Sequence, residues 1–228
     1  MESALEHGPD AVLFDMDGTL IDSEGLWLRA EEIVMARMGT GWTEADQREC
    51  LGGPVERVAQ YMVAKASSDR DPVGVGTELL DEMESLFRST PLAWRPGARS
   101  FLDDARRRGI PTALVSASWG RLIDAVSEQV EAEVGGPAFD VVVAGDEVEE
   151  SKPHPEPYLT AAAALGVAPA RCLVLEDSPT GVASGVAAGC RVVAIPHLAV
   201  IDIPGVRVLE SLVGHTAVSL WARHSDSA

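Results

Sequence analysis

The chain reads as an α/β protein: a Rossmann-like parallel sheet with a small all-helical segment inserted after its first strand. Three observations predict this. From residue 98 onward, short apolar runs alternate with amphipathic stretches, the pattern of strands and covering helices in a parallel sheet. Between residues 22 and 92 no strand pattern appears, and apolar positions recur at helical spacing. Acids, hydroxyls and a lysine stand just after successive apolar runs, where open parallel sheets bind their ligands.

Residues 11–15, Ala-Val-Leu-Phe-Asp, form a continuous apolar run that ends in an acid before a glycine turn, and predict the first strand. Residues 24–38 predict a helix, with Leu26, Ala30, Ile33, Val34 and Met38 on one side. Residues 43–50, 54–67 and 76–88 also predict helices, with Thr43 and Pro54 as start signals, and 67–72 (Ser-Ser-Asp-Arg-Asp-Pro) predicts a loop. Arg95-Pro96-Gly97 breaks the helical block. Helices are then expected at 98–108, 119–133, 156–165 and 179–188, and strands at 111–116, 139–143, 171–175 and 191–195. The tail, 206–222, predicts a weak strand and a short helix. The expected division is 1–22 with 93–228 as an α/β core and 23–92 as a helical cap, hinged near 22–23 and 92–96.

Composition narrows the function classes. A net charge of −18 disfavours nucleic acid, which needs a basic face, and it weakens an anionic-membrane role. No apolar run approaches the ~20 residues of a membrane helix, and the acidic start Met1–His7 lacks an apolar signal core, so a cytoplasmic protein is expected. The expected assembly is a monomer or weak dimer. Cys50, Cys172 and Cys190 are odd in number and widely spaced, which predicts buried small hydrophobes rather than a disulfide framework or a zinc site. Of the 18 basic residues only Lys65 and Lys152 are lysines. A lysine retained among arginines is a candidate for work that needs a compact point charge.

The residues after the expected strands suggest a chemistry. Asp15 and Asp17 follow the first, Ser116 and Ser118 the second, Asp146 and Lys152 the third, and Glu176, Asp177 and Ser178 the fourth. Carboxylates gathered at one edge repel one another unless a cation sits among them, and oxygen ligands of this kind suit Mg²⁺. Asp15, Asp177 and a backbone carbonyl near Asp17 can serve as ligands, with Glu176 acting through a water. A carboxylate can also attack phosphorus, giving an acyl phosphate on Asp15. Asp17 can protonate the leaving alcohol and then deprotonate the hydrolytic water. Ser116, the backbone N–H of Ala117 and the Lys152 ammonium can hold the transferring phosphoryl group. The expected partner is a small-molecule phosphate ester. Taken singly these residues have plainer readings: Asp15 and Asp17 as turn formers, Ser116 as a helix cap, Glu176 and Asp177 as helix-start acids.

Four segments in order carry a resemblance. Phe14-Asp15-Met16-Asp17-Gly18-Thr19-Leu20, Leu114-Val115-Ser116, Lys152 through Tyr158, and Leu175-Glu176-Asp177-Ser178-Pro179-Thr180-Gly181 are similar to the four motifs of the haloacid dehalogenase-like superfamily. The likeness covers about residues 10–195, and the helical insertion resembles the subgroup that includes beta-phosphoglucomutase and sugar-phosphate phosphatases. It implies a phosphoric monoester hydrolase with Asp15 as nucleophile and metal ligand. It further implies Asp17 as acid/base with its carbonyl on the metal, Thr19 orienting Asp17, Ser116 and Lys152 on the phosphoryl group, and Glu176 with Asp177 on Mg²⁺.

Within that resemblance, hydrolysis of a monophosphate is expected over the mutase. Trp119 and Gly120 follow the second motif where the mutase has groups for a second phosphate, Glu56 aligns with its cap arginine although Arg57 is adjacent, and Trp27 aligns with its cap histidine. Thr19 is the phosphatase-like choice. A dehalogenase is disfavoured because Asp17 is present, and a phosphonatase because Lys65 lies too far along the cap. A non-catalytic binding or regulatory protein on the same fold is the other class left open. Trp27, Gly53, Arg57 and Trp119 are the candidates for substrate selection. Lys65 is expected at the surface and His154 in a loop.

Overall fold

A computed structural model describes residues 8–50 and 54–222. The chain divides into two compact units, 1–22 with 92–228 and 23–91.

The larger unit is a six-stranded parallel sheet in the order β3-β2-β1-β4-β5-β6. β1 is Ala11–Phe14, β2 Thr112–Val115, β3 Val141–Val143, β4 Cys172–Glu176, β5 Arg191–Ala194 and β6 Arg207–Val208. All four residues of β1 are fully buried because it is paired on both sides, Phe14 lying beside Leu114 of β2 and Leu175 of β4. Burial on both faces explains the unbroken apolar runs of β1, β2 and β4. One face packs on α7 (Glu156–Ala164) and α8 (Pro179–Ala187) through Leu13, Val115, Val174, Tyr158, Ala161 and Val182. Phe14 makes edge contacts with Phe101 of α5 (Ala98–Arg107) and with Phe139. Helices α6 (Gly120–Val134) and α9 (Ala217–Ala222) also belong to this unit.

Order 3-2-1-4-5-6 is that of doubly wound dinucleotide-binding sheets. The chain steps outward from β1 to β2 and β3, then crosses to the other side at β4. The strand order therefore reverses between β1 and β4, and the crevice beyond their carboxyl ends is where the topology places a ligand.

The smaller unit holds α1 (Glu24–Arg37), α2 (Glu44–Cys50), α3 (Val55–Lys65) and α4 (Pro72–Ser89). Val34, Met35, Met62, Leu79, Met83 and Phe87 are among its buried apolar side chains. Helix α4 starts four residues before the expected 76, since Asp71 caps it by accepting from the Val73 N–H and Pro72 fits the first turn. Thr43 and Asp46 close α2 reciprocally: the Thr43 N–H donates to Asp46 (2.9 Å) and the Asp46 N–H to the Thr43 hydroxyl (3.4 Å). Lys65 is at the surface, as expected, and there pairs with Asp46 at 2.6 Å. Asp46 also accepts from the Tyr61 hydroxyl, at 3.0 Å. Among the described residues no helix is long and apolar enough to cross a membrane. Cys172 and Cys190, distant in sequence, become thiol neighbours at the start of β4 and the approach to β5.

Candidate active site

The ends of β1 and β4 build the centre of the site. Asp15 extends β1 by one residue, its N–H donating to the Leu175 carbonyl at 3.0 Å. The chain then folds back tightly, with the Leu20 and Ile21 N–H groups both on the Met16 carbonyl and the Gly18 N–H on the Ile21 carbonyl. This turn puts Asp17 at the rim, half-buried, while Asp15 and Thr19 are buried.

Lys152 reaches the same place from the segment between β3 and α7. The Glu156 carboxylate accepts the N–H groups of Glu149 (2.9 Å) and Glu150 (3.0 Å). The Ser184 hydroxyl of α8 donates to the His154 carbonyl at 2.6 Å. Held this way, the Lys152 ammonium donates to Asp15 Oδ1 at 2.7 Å, Glu176 Oε1 at 2.7 Å and the Val115 carbonyl at 2.9 Å. It also lies 5.0 Å above the Tyr158 ring. His154 is a loop residue, as expected.

Glu176 is fully buried and anchors the cluster. Its Oε1 accepts from Lys152 and from the Tyr158 hydroxyl at 2.9 Å. Its Oε2 accepts from the Asp177 and Ser178 N–H groups and the Ser178 hydroxyl, between 3.0 and 3.2 Å. The Ser178 hydroxyl in turn accepts from the Gly181 N–H at 3.0 Å, capping α8. The Glu176 carboxylate lies directly against Gly181, where any Cβ would collide with it. Both Glu176 oxygens are thus engaged by protein donors.

The electrostatics favour a further positive charge beside these acids. Burial, then the neighbouring Glu176, pushes the Asp15 carboxyl up to about 7, against the lowering effect of Lys152. Burial, then Asp15 and Glu176, pushes Asp177 up to about 9. Lys152 is held well above its usual range, because the attraction of Asp15 and Glu176 outweighs its desolvation. Carboxylate oxygens of Asp15, Glu176 and Asp177 fall within 4.8 Å of one another. Among the described residues, buried Asp15 Oδ2 has no hydrogen-bond partner. An orphaned carboxylate oxygen among hard oxygen donors fits a magnesium ion.

The remaining expected residues divide. Ser116 is buried at the end of β2, its hydroxyl accepting the Ser118 N–H at 3.0 Å, and Ala117 is exposed beside it. The resemblance implies that Thr19 orients Asp17, yet the buried Thr19 hydroxyl has no partner among the described residues. The Ser118 hydroxyl instead donates to Asp17 Oδ2 at 2.8 Å. Trp119 is 37% exposed at the start of α6. Trp27 is half-buried on α1, and Arg57 is bonded to the Glu49 carbonyl at 2.8 Å, both within the helical unit. Gly53 lies outside the described residues. Sequence reasoning missed the roles of Tyr158 and Ser118, since no spacing rule ties residue 158 to 176 or 118 to 17.

Residues 12–195 match the family model described as haloacid dehalogenase-like hydrolase. The chain belongs to this family. This haloacid dehalogenase-like hydrolase is 33% identical over 192 residues to Protein CbbY of Rhodobacter capsulatus, covering 82% of this chain and 85% of the relative. It is 34% identical over 189 residues to hexitol phosphatase B of Escherichia coli, covering 82% and 83%. Among solved structures, CbbY from Rhodobacter sphaeroides in complex with phosphate superposes with a TM-score of 0.80 at 30% identity, over 92% of this chain and 99% of that one. A mutant of the same protein, with the same scores and coverage, holds xylulose-(1,5)bisphosphate.

Proposed function

We propose that this hydrolase is a magnesium-dependent phosphomonoester hydrolase working through an aspartyl-phosphate on Asp15, and that its substrate is a small phosphorylated metabolite, a sugar phosphate. The observation that carries the reading is the cluster of Asp15, Lys152, Glu176 and Asp177 at the topological switch point, with Asp15 Oδ2 unpartnered. The names of the relatives support the substrate class, hexitol phosphatase B above all.

Asp15 and Asp177 would hold the magnesium, with the Asp17 carbonyl, and Glu176 through a water. Bound there, the ion supplies charge neutralisation between the attacking carboxylate and the phosphoryl oxygens. The chain's own residues do the rest. Ser116, the Ala117 N–H and Lys152 orient the phosphoryl group in line with Asp15. As the Asp15–phosphorus bond forms and the ester bond breaks, Asp17 gives its proton to the leaving alkoxide. It then takes a proton from the water that cleaves the acyl phosphate, returning Asp15 as a carboxylate.

Hydrolysis fits this chain better than phosphoryl transfer to a second sugar position. After β2 stand Trp119 and Gly120, and the Gly120 N–H is taken by Asp146 at 2.8 Å. Phosphate release across a panel of sugar monophosphates and bisphosphates, with magnesium and with chelator, tests the proposal. The expected result is magnesium-dependent release that Asp15→Asn lowers by about 10³-fold or more. No release from any ester, or full activity in Asp15→Asn, sinks it.

A further inference from the structure

We infer that Ser118 is a positioning residue that holds Asp17 in line for proton transfer, a task the first motif's own hydroxyl, Thr19, does not perform in this structure. The assignment rests on the phosphatase reading above. It starts from one contact across the sheet edge, the Ser118 hydroxyl donating to Asp17 Oδ2 at 2.8 Å, 101 positions away in sequence. Thr19, two residues from Asp17, has a buried hydroxyl with no partner among the described residues.

The backbone around Ser118 is built to hold that hydroxyl still. The Ser116 N–H donates to the Val143 carbonyl at 3.0 Å, carrying the β2–β3 ladder one step past the strands. The Ser118 N–H returns to the Ser116 hydroxyl at 3.0 Å, and the Ser118 carbonyl accepts the Gly145 N–H at 2.9 Å. Asp146 takes the next donor along, the Gly120 N–H. Gly145 is needed for this docking, since a Cβ there would run into the Ala117 backbone. Ser118 is thus pinned at its N–H and its carbonyl, which leaves the hydroxyl as the part that faces Asp17. A short side chain on a pinned backbone loses little freedom in making such a bond, so it fixes its acceptor better than a long flexible donor can.

The chemistry explains why the partner is a hydroxyl. Asp17 alternates between acid and carboxylate during the proposed cycle. A hydroxyl donates to the carboxylate and, by rotating, can accept from the acid, whereas an ammonium would favour the carboxylate alone. Ser118 keeps its own proton throughout. Its contribution is the direction in which the Asp17 carboxyl points when the ester bond breaks.

The test uses the full chain with magnesium and a series of aryl phosphates from 4-nitrophenyl to phenyl phosphate. The leaving groups of this series span about three units of acidity, so the need for protonation rises along it. The quantity read is the slope of log kcat/KM against leaving-group pKa, which reports phosphoryl transfer from the ester rather than hydrolysis of the intermediate. Ser118→Ala is expected to cost phenyl phosphate about 10–100-fold and 4-nitrophenyl phosphate about 3-fold or less, a steeper slope in the direction of Asp17→Asn. Ser118→Thr, which keeps the hydroxyl, is expected to recover the shallow slope. Thermal midpoints of the variants close to that of the parent confirm folding. A uniform loss along the series, or a slope unchanged by Ser118→Ala, overturns the assignment while leaving the phosphatase reading intact. An Asp17→Asn slope equal to the parent's overturns both.

Discussion

Removing the Lys152 ammonium while keeping its bulk, as in Lys152→Met, tests the electrostatic account of the site directly. The ammonium makes two charge-assisted bonds at 2.7 Å and a third to a carbonyl at 2.9 Å, in a side chain only 6% exposed. Each bond to a charged partner contributes about 1.5–3 kcal/mol, and desolvating the ammonium costs several kcal/mol in return. The wild-type arrangement therefore contributes little net stability. The variant is different, because Asp15 and Glu176 are left buried without that partner. Breaking a buried pair from one side costs about 3–5 kcal/mol, and at this chain length each kcal/mol moves the midpoint by about 2–4 °C. In chelator, the thermal midpoint of Lys152→Met is expected to fall by about 10 °C. Added magnesium should return part of that fall, because it binds the folded form. Phosphate release should drop by about 10²–10³-fold, the usual consequence of losing one preorganised donor at the reacting group. A midpoint within about 2 °C of wild type in chelator would show that Asp15 and Glu176 do not depend on Lys152 as their partner.

Two further outcomes follow from the geometry. Burial pushes Glu31, which accepts from the Trp42 indole at 2.7 Å, from 4.5 up to about 7. An acid whose folded pKa is raised favours the folded state most below the unfolded value, and that contribution is lost as pH rises to the folded one. Glu31→Gln should therefore gain stability relative to wild type between about pH 4.5 and 7 and hold that gain above it; denaturant midpoints showing a constant difference across this range would contradict the assignment. Gly181→Ala puts a Cβ into the Glu176 carboxylate. Its kcat should fall by about tenfold or more and its thermal midpoint by about 2–12 °C, and unchanged kcat would show that Glu176 can shift without consequence.

Much of this protein is legible in its amino-acid order. The unbroken apolar runs at 11–14 and 172–175 fit strands covered on both faces, and both lie at the centre of the sheet. The helical insertion is visible because 3.6-residue periodicity is a local property. Three of the four motifs are legible for a related reason: Asp15, Asp17, Ser116, Glu176 and Asp177 lie within three positions of a strand end, whereas Lys152 comes nine residues after β3. Boundaries are less secure where a cap residue decides them, as Asp71 does for α4.

What the one-dimensional chain does not show is which side chains meet. Spacing along a strand or helix carries no information about partners a hundred residues away. The bond from Ser118 to Asp17, the shared grip of Lys152 and Tyr158 on Glu176, and the Cys172–Cys190 thiol pair all depend on strand order. The same holds for Lys65 on α3, which pairs with Asp46 on α2, 19 residues away. Sequence alone determined the fold class, the family and the set of acids at one edge. Tertiary structure decided how that set is wired, because hydrogen-bond partners are fixed by where the sheet register and the turns place each group in space.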